Sequence, residues 1–544
     1  MSTATQLTGT PTSRHVEGAF REWRAVLGEQ YVVMEPAELH SAAVTTYASN
    51  RSIPAILRPG SRDEVEQVLR IANRWHVPVY PISGGRNWGY GSRVPSADDC
   101  VLLDLSRMNR ILDFDEDLAY ITIEPGVSQQ QVFEFLRQRK SNLWLDVSGA
   151  GPGSSLVGNT LERGFGHTPY GDHFAHICGL EVVLPSGQVM ETGFARFPGS
   201  RAGAVHRWGV GPFLDGLFTQ SNFGVVTRMS IWLMPAPEYF QAYFFRCDSA
   251  DGLAPLVDAM RPLRLDGTIR STVHIVNDYK VLSGLQQYPW EEAAGRTPLP
   301  QHVMQDLRKR LQFGAWNASG GLYGTRRQVA EARRLLKRAL AGHVDKLQFL
   351  DEGKLRLAER FSKVYQLVTG WDLSRALELL RPVFGLLQGV PTDQPLGSTY
   401  WRKRFPPPAS MNPDRDGCGL LWCSPVTPAE GRQAQELVEL SSRTLLGHGF
   451  EPAISLTMIT ERSLACVISI TYDRDIPGED EKAMGCYHDL LRRLAASGFY
   501  SYRLTSESAS SMACSPGYDE MLRTVKRSLD PNRILAPGRY QPVE

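Results

Sequence analysis

The 544-residue sequence lacks the charge excess and the long apolar runs that identify nucleic-acid-binding and membrane proteins. Its 59 Lys and Arg residues nearly balance its 58 Asp and Glu residues, so no overall field favours nucleic acid or an anionic membrane. No apolar run of about 18 residues occurs, and the N-terminal MSTATQLTGTPTSRHVEG has no signal-peptide core. We therefore expect a cytoplasmic protein that binds neither nucleic acid nor membrane.

Paired cysteines and metal-binding motifs are also missing. The eight cysteines are scattered without a CxxC pair, and the sequence contains no HExxH motif. His173 and His176 lie close together, but no further ligand stands near them. The sequence predicts reduced, mostly buried thiols and no metal site.

The length and the order of the patterns predict more than one domain. Up to about residue 236, short apolar strands alternate with glycine-rich loops and amphipathic helices, such as the helix that Ser61 caps. From residue 237 onward, strand-then-helix units indicate an antiparallel sheet with helices on one face, while 386–415 is predicted to be a long loop. The turn-rich C-terminal LDPNRILAPGRY is expected to pack back on the first domain.

The stretch PISGGRNWGYGS, residues 81–92, follows a predicted strand and is unusually rich in glycine. Its spacing does not match the GxGxxG motif of a Rossmann nucleotide site, and it leads towards another strand rather than a helix. Two interpretations stay open, an ordinary turn or a nest of backbone N–H groups that binds an anion with help from Arg86. Two further glycine-rich loops nearby favour a large phosphate-bearing ligand.

Five blocks in order resemble one family: PISGGRNWGYGS, ITIEPGVSQQQV, GSSLVGNTLERGFGHTPYGDH, SNFGVVTRMSIWLMP and DPNRILAPGRY. Together they are similar to the vanillyl-alcohol oxidase and 4-cresol dehydrogenase (p-cresol methylhydroxylase, PCMH) flavoproteins. The resemblance implies an α+β protein with a PCMH-type FAD-binding domain of two subdomains, 1–236. A ferredoxin-like α+β cap with an antiparallel sheet would span 237–503, and a C-terminal segment, 504–544, would return to the FAD domain.

The same resemblance implies which residues bind FAD. They would be Gly84, Gly85, Arg86, Asn87, Gly89, Pro125, Gly126, Ser154, Ser155, Gly158, Asn159, Gly224, Val225 and Arg539. Any single glycine in this set has an equally plain alternative role, namely a turn that needs a positive φ.

Family members oxidise para-alkylphenols, which explains the remaining residues of the site. A phenol has a pKa near 10, so binding groups must stabilise its phenolate before the benzylic carbon gives up a hydride. By resemblance Tyr90, Tyr502 and Arg503 are the groups that hold this oxygen. The alternative is that Tyr502 and Arg503 form a surface strand pair and that Tyr90 is a core aromatic.

Three positions depart from the family's oxidases. Ala150 stands where vanillyl-alcohol oxidase carries an aspartate that serves as a base, and Leu420 stands where a histidine would attach FAD. A histidyl link at Leu420 is therefore excluded, and Tyr400 is the candidate for a covalent link of the kind cresol dehydrogenases use. His167 replaces a family tyrosine and is the candidate proton acceptor, with a plain packing role as the alternative.

These departures move the chain towards the dehydrogenase branch, in which electrons pass to a small cytochrome c subunit. We expect a phenolic substrate, a homodimer or larger assembly, and a periplasmic location only if the chain is exported with such a cytochrome. An oxygen-using oxidase, a non-catalytic flavin-binding protein and an enzyme for a non-phenolic alcohol or sugar acid are the alternatives.

Overall fold

A computed structural model describes residues 13–541 of the chain except 358–359, 361–372 and 509–514. Its α-helices are α1 (Ser13–Leu27), α2 (Pro36–Ala43), α3 (Arg62–Trp75), α4 (Gln129–Gln138), α5 (Leu156–Leu161), α6 (Leu253–Leu265), α7 (Asp278–Leu285), α8 (Gln301–Leu311), α9 (Arg326–Ala339), α10 (Leu373–Leu386), α11 (Gly431–Gly447), α12 (Glu479–Ala496) and α13 (Pro516–Leu529).

The strands fall into a first part of the chain, up to residue 235, and a second part that forms one large sheet. They are β1 (Val32–Val33), β2 (Ile56–Leu57), β3 (Val79–Ile82), β4 (Val101–Asp104), β5 (Ile111–Asp115), β6 (Tyr120–Ile123), β7 (Leu143–Trp144), β8 (Ile177–Val183), β9 (Val189–Glu191), β10 (Val225–Trp232), β11 (Met234–Pro235), β12 (Tyr239–Cys247), β13 (Val273–Asn277), β14 (Trp316–Gly324), β15 (Lys346–Leu350), β16 (Cys418–Cys423), β17 (Val426–Pro428), β18 (Ala453–Met458) and β19 (Ser463–Asp473).

Local sequence explains where the helices of the first part begin. The Ser61 hydroxyl accepts a hydrogen bond from the Glu64 N–H, and the apolar face of α3, including Val65 and Leu69, is buried. The Ser128 hydroxyl caps α4 in the same way. The Ser61 cap is as the sequence predicts, and both caps form because a serine hydroxyl satisfies an N–H that has no partner within the helix.

The first part of the chain contains two larger sheets and a two-stranded sheet of β7 and β11. The four-stranded sheet has the order β1-β2-β4-β3, with β2, β4 and β3 parallel, and the five-stranded sheet is antiparallel in the order β5-β6-β10-β8-β9. The C-terminal segment joins the four-stranded sheet, since the Val79 N–H donates to Ile534 O and the Ala536 N–H donates to Val79 O. Residues 534–536 therefore pack beside β3 of the first part.

The second part forms an eight-stranded antiparallel sheet, which we call the cap sheet. Its order is β15-β12-β14-β13-β18-β19-β16, with β17 paired to β19. Helices α6, α9, α11 and α12 pack on one face and bury a core that includes Ile275, Leu456 and Ile468. The predicted α+β class, with helices on one face of an antiparallel sheet, is confirmed.

The other face of the cap sheet is far more polar, and we call it the site face. Strand residues alternate in direction, so the neighbours of those core residues, such as His274, Thr457 and Ser469, point to the site face. Two backbone hydrogen bonds tie this face to the first part, from Trp422 N–H to Gly89 O and from Leu420 N–H to Thr46 O. The cap sheet therefore lies directly over the first glycine loop.

Several smaller expectations can also be compared with the structure. The predicted loop 386–415 is largely irregular, but it contains a 3-10 helix at Gln394–Tyr400 and buries Tyr400 and Trp401. The seven described cysteines are buried and unpaired, and Cys514 lies outside the described residues. In the part of the chain that the structure covers, no helix is both long and apolar enough to cross a membrane. The domain boundaries at 236 and 503 stay a prediction.

Candidate active site

The three glycine-rich loops come together beside the cap sheet. The Ser155 hydroxyl donates to Pro125 O at 2.6 Å and accepts from the Gly158 N–H at 2.9 Å, which joins the second loop to the third and caps α5. A Cβ placed on Gly84 in the first loop would lie 3.9 Å from Gly153 O. The loops that the sequence separates by tens of residues thus line one groove.

The first loop presents a run of unused backbone donors. Within the described residues, the N–H groups of Gly84, Gly85, Arg86 and Asn87 donate no hydrogen bond to the protein. Buried or ligand-facing N–H groups need acceptors, and consecutive free N–H groups form a nest that suits phosphate oxygens. Gly84 is exposed, and these free N–H groups therefore fit the pyrophosphate of FAD.

Other predicted FAD residues have a packing role in the structure. A Cβ on Gly126 would lie 2.6 Å from Ser106 O, and a Cβ on Gly224 would lie 2.4 Å from the Val182 side chain. Val225 is buried in the core of the first part. Close packing alone explains these three residues, and their contact with FAD stays a prediction.

Polar side chains near the third loop also have partners within the protein. The Ser154 hydroxyl donates to Ala150 O at 2.6 Å, and Asn159 Oδ1 lies 2.6 Å from His173 Nδ1. The Arg86 guanidinium lies next to Gly153, where an added Cβ would meet it at 2.6 Å. Arg86 therefore bridges the first and third loops and brings positive charge to the groove.

Tyr90 leaves the first loop and points at the cap sheet. Gly89 adopts φ +75°, and a Cβ there would lie 3.1 Å from the Trp422 ring, so glycine permits this close approach. The Tyr90 ring meets the edge of Trp422 at 5.5 Å between centroids, and its hydroxyl lies 2.5 Å from Ser424 Oγ. Burial raises the pKa of Tyr90 well above its ordinary value, so the hydroxyl stays a hydrogen-bond donor.

Tyr502 and Arg503 reach the same place from the far end of the chain. The Tyr502 N–H donates to Ser424 O, which continues the edge of β16, and the Tyr502 side chain interacts with both Tyr90 and Arg503. The Arg503 guanidinium lies 4.3 Å above the Tyr90 ring and donates to Asn87 Oδ1 at 2.5 Å. The three predicted catalytic side chains are therefore brought together.

A carboxylate that the sequence analysis missed lies behind them. Glu162 Oε1 accepts from Arg539 Nη2 at 2.8 Å, and Glu162 Oε2 accepts from the Tyr540 hydroxyl at 2.9 Å and lies 3.4 Å from Arg503 Nε. Burial alone would raise the pKa of Glu162, but Arg539 and Arg503 lower it below its usual value. Two guanidinium groups face one carboxylate, so the cluster keeps a net positive charge beside the two tyrosines. Arg539, predicted to bind FAD, thus pairs with Glu162.

His167 lies against a second histidine, His274 on β13, with 4.4 Å between ring centroids. His274 is held by hydroxyls on both sides, Thr457 at 3.0 Å and Thr272 at 3.1 Å, whereas neither ring nitrogen of His167 bonds to a described residue. Burial lowers the pKa of His167 to about 4 and that of His274 well below its ordinary value. Both rings are therefore neutral at pH 7.

Asp146 fixes the backbone that carries His167. Its carboxylate accepts from the N–H groups of His167 at 3.1 Å and Thr168 at 2.7 Å, and it lies 2.8 Å from His173 Nε2. Although burial would raise the pKa of Asp146, these hydrogen bonds lower it. Every bond it makes is to the protein, so it positions the His167 loop.

Tyr400 lies at the end of the 3-10 helix and is fully buried. Its hydroxyl donates to Asp416 Oδ2 at 2.6 Å, and burial together with this carboxylate raises the pKa of Tyr400. Leu420 lies on the site face, against Trp88 and Leu396. The structure thus pairs the candidate attachment residue with a carboxylate that can accept its proton.

Comparisons with known proteins agree with this geometry. A family model for an FAD binding domain matches residues 53–193. The 1'-carboxy-chondrochloren decarboxylase of Chondromyces crocatus is 45% identical over 96% of this chain and 97% of its own. The 4-cresol dehydrogenase [hydroxylating] flavoprotein subunit of Pseudomonas putida is 31% identical over 96% of this chain and 94% of its own.

Two solved structures superpose on nearly the whole chain. Substrate-bound p-cresol methylhydroxylase matches with a TM-score of 0.87 at 30% identity, covering 98% of both chains. The 4-ethylphenol oxidase of Gulosibacter chungangensis, in complex with isoeugenol, matches with a TM-score of 0.89 at 28% identity, covering 98% of this chain and 99% of its own. The resemblance seen in the sequence is thus confirmed, and the chain belongs to the PCMH-type FAD-binding family of FAD-dependent oxidoreductases.

Proposed function

We propose that this protein oxidises para-alkylphenols, taking a hydride from the benzylic carbon with FAD as the acceptor. The observation that carries the proposal is the cluster of Tyr90, Tyr502 and Arg503 at the mouth of the glycine groove. These side chains supply two neutral hydroxyl donors and a cation within one buried site. The relatives named for 4-cresol and 4-ethylphenol support the same substrate class.

The cluster stabilises the phenolate form of the substrate. A neutral phenol with a pKa near 10 carries little phenolate at pH 7, and a nearby cation together with hydroxyl donors lowers that pKa. Because Glu162 neutralises only part of the charge of Arg503 and Arg539, the site retains the positive charge that a phenolate needs. Arg503 then holds the phenolic oxygen while the two tyrosines donate to it.

FAD would be held by the free N–H groups of Gly84, Gly85, Arg86 and Asn87, and when bound it supplies a two-electron acceptor for the hydride. The remaining predicted contacts, from Pro125 to Asn159 and at Gly224 and Val225, line or support the same groove. The site face of the cap sheet covers the groove and keeps water from the reacting carbon.

Loss of the hydride leaves the substrate as a quinone methide, to which water adds to give a benzylic alcohol. A base must take the proton of that water, and Ala150 offers none. His167 has unpaired ring nitrogens and a neutral ring, so we propose it as the acceptor, with His274 behind it. A pKa of about 4 makes His167 a weak base, which suits a reaction in which the quinone methide is itself strongly electrophilic.

A second reaction, in which hydride loss is followed by loss of CO₂, is favoured by the 45% identical relative, which is named a decarboxylase of a carboxylated compound. If a carboxylate stands on the carbon next to the benzylic carbon, the bond between that carbon and the carboxylate can break and release CO₂. The electron pair of the broken bond forms the C=C bond of an alkene, and the ring of the quinone methide returns to phenolate. In total the substrate loses one hydride and one CO₂. Product analysis of a carboxylated phenol separates an alkene with CO₂ from a benzylic alcohol.

We propose a c-type cytochrome as the electron acceptor and a homodimer or larger assembly, as the dehydrogenase branch implies. The relative that is named a flavoprotein subunit supports the proposal, whereas the matching oxidase favours oxygen as the alternative. Oxygen uptake compared with reduction of an artificial dye, on one enzyme sample, separates the two.

We also propose that Tyr400 is the residue that would hold FAD covalently, with Asp416 fixing the position of its hydroxyl by accepting its hydrogen bond. Acid precipitation of the purified protein should leave yellow colour in the pellet, and the Tyr400 peptide should carry the flavin mass. Tyr400→Phe should release the flavin into the supernatant. Colour retained by that variant would contradict the link.

Arg503→Ala provides the test of the phenolate mechanism. Removing one preorganised group of this kind typically lowers turnover by about 10²–10³-fold, so we expect a loss of that size with 4-ethylphenol. Arg533→Ala, in the C-terminal turn, is the matched control. If Arg503→Ala hardly changed the turnover of any para-substituted phenol, the phenolate mechanism would be abandoned.

A further inference from the structure

Lys280 on α7 is a buried cation that the site described so far does not use. Its ammonium donates to the Ser469 hydroxyl at 3.3 Å, and no described carboxylate lies within ion-pair distance of it. Part of its side-chain surface stays accessible, yet the surrounding protein is dense enough that burial lowers its pKa to about 8. Both features are typical of a side chain that lines an interior space.

Ser469 places Lys280 on the same face of the cap sheet that Tyr90 contacts. Ser469 on β19 pairs directly with Trp422 on β16, and its neighbours Ile468 and Ile470 belong to the core under the helices. Directly paired residues point to the same face of a sheet at about 5 Å spacing, so Ser469 and Trp422 both lie on the site face. Trp422 in turn contacts Tyr90.

The position of Lys280 on the site face suits the far end of a substrate. A phenol whose oxygen is held by Tyr90, Tyr502 and Arg503 must direct its para chain away from that cluster. One strand spacing beyond Trp422, the Lys280 ammonium reaches Ser469 on this face, carried there by α7, which packs on β13 and β18. A group of opposite charge on the para chain would complete the ion pair that the protein leaves unmade.

We propose that Lys280 binds a carboxylate on the para side chain of the substrate, which makes carboxylated para-alkylphenols the preferred substrate class. An unpaired buried ammonium costs stability, so a partner that arrives with the substrate accounts for its presence. The proposal rests on the proposed function for the identity of the phenol, and the 45% identical decarboxylase supports a carboxylated substrate.

Two matched substrates test the proposal, 3-(4-hydroxyphenyl)propanoate and 4-propylphenol, which differ only in a carboxylate or a methyl group at the chain end. A hydrogen bond to a charged group contributes about 1.5–3 kcal/mol, which corresponds to a change of about 10–150-fold in a binding constant. Lys280→Met should lower kcat/KM for the propanoate at least about tenfold and leave 4-propylphenol within about twofold. Lys309→Met, at an exposed lysine of α8, is the control.

Calorimetric binding of the propanoate to the flavin-loaded protein is the second readout, and it does not depend on turnover. Lys280→Gln, which keeps a polar contact to Ser469 without the charge, guards against a folding defect in the Met variant. Binding weakened at least about tenfold in both variants supports the proposal. Equal losses for both substrates, or unchanged propanoate binding, would overturn it. A parent enzyme that binds the propanoate through Lys280 but oxidises neither phenol would overturn the proposed function alone.

Discussion

The groups around Tyr90 keep its hydroxyl a hydrogen-bond donor. Trp422 packs on its edge, Arg503 lies above its ring, and Ser424 Oγ is 2.5 Å from its oxygen. Burial raises its pKa, so it donates a hydrogen bond and does not act as a base. We therefore propose that this tyrosine serves the substrate, although the loop that carries it is proposed to bind phosphate.

We predict that Tyr90→Phe retains bound flavin but oxidises 4-ethylphenol more slowly by about 10²–10³-fold, because one preorganised donor is lost. The ring contacts with Trp422 and Arg503 survive in phenylalanine, so the loop should keep its shape. Flavin-to-protein ratio and steady-state kinetics measure the two effects. Tyr500→Phe, at an exposed tyrosine nearby, is the control. Loss of flavin from Tyr90→Phe would show that the residue supports the cofactor instead.

The buried His167 ring makes a separate prediction about stability and pH. Its pKa in the folded protein is about 4, below the ordinary 6.5, so the unfolded chain binds more protons between these values. This histidine therefore lowers the free energy of unfolding as pH falls from about 6.5 towards 4. We expect His167→Asn to make that decline shallower in chemical denaturation at a series of pH values. A decline as steep as in the parent would show that His167 titrates normally.

The first glycine loop is the element that we propose to hold the pyrophosphate of FAD. A Cβ on Gly84 would make only ordinary contacts, at 3.9 Å from Gly153 O and 4.0 Å from Ser155 N, whereas Gly126 is packed against the backbone of residues 105–108. A side chain at Gly84 would fill the groove without a clash inside the protein. A side chain at Gly126 would collide with main-chain oxygens that cannot move aside.

We therefore predict that Gly84→Val folds with nearly unchanged thermal stability as apoprotein but loses FAD. Gly126→Ala, by contrast, should lower the melting temperature even without FAD, because an added Cβ would lie 2.6 Å from Ser106 O. Thermal unfolding of flavin-free samples and the flavin-to-protein ratio separate the two effects. Full flavin content in Gly84→Val would place the pyrophosphate elsewhere.

Elements with a local signal can be predicted from the sequence. Ser61 caps α3 and Ser128 caps α4 through bonds within four residues, and the glycine spacing after β3 is enough to exclude a Rossmann turn. The position of Tyr90 can be inferred only through the resemblance, because an isolated tyrosine among glycines equally suits a packed core.

Residues that act across the fold could not be predicted in this way. The contacts of these residues are with partners far away in the sequence. Glu162 bonds to Arg539, His274 to Thr457, and Lys280 to Ser469. Their pairing depends on the register of β13, β18 and β19 and on the return of the C-terminal segment. For Glu162, a carboxylate placed just after the capped helix α5 is the one signal that could have indicated it.

At the scale of the molecule, two different binding surfaces adjoin where the cap sheet lies over the glycine groove. The first part of the chain supplies backbone donors that suit phosphate, and the cap sheet supplies a polar face that suits an aromatic substrate. Hydrogen bonds from Trp422 to Gly89 and from Leu420 to Thr46 join the two. Because Gly89 and Tyr90 belong to the same loop and both contact β16, small displacements at this junction should affect both cofactor and substrate.

The account depends on a substrate that is oxidised as its phenolate, so the most direct measurement is anaerobic reduction of the flavin-loaded protein. A matched pair, 4-ethylphenol and its methyl ether, 4-ethylanisole, differs in the one oxygen that Tyr90, Tyr502 and Arg503 hold. The account predicts that the phenol bleaches the flavin absorbance and that the ether does not. Bleaching at similar rates by both compounds would contradict it. So would a flavin that is bleached by neither compound and by no carboxylated para-alkylphenol.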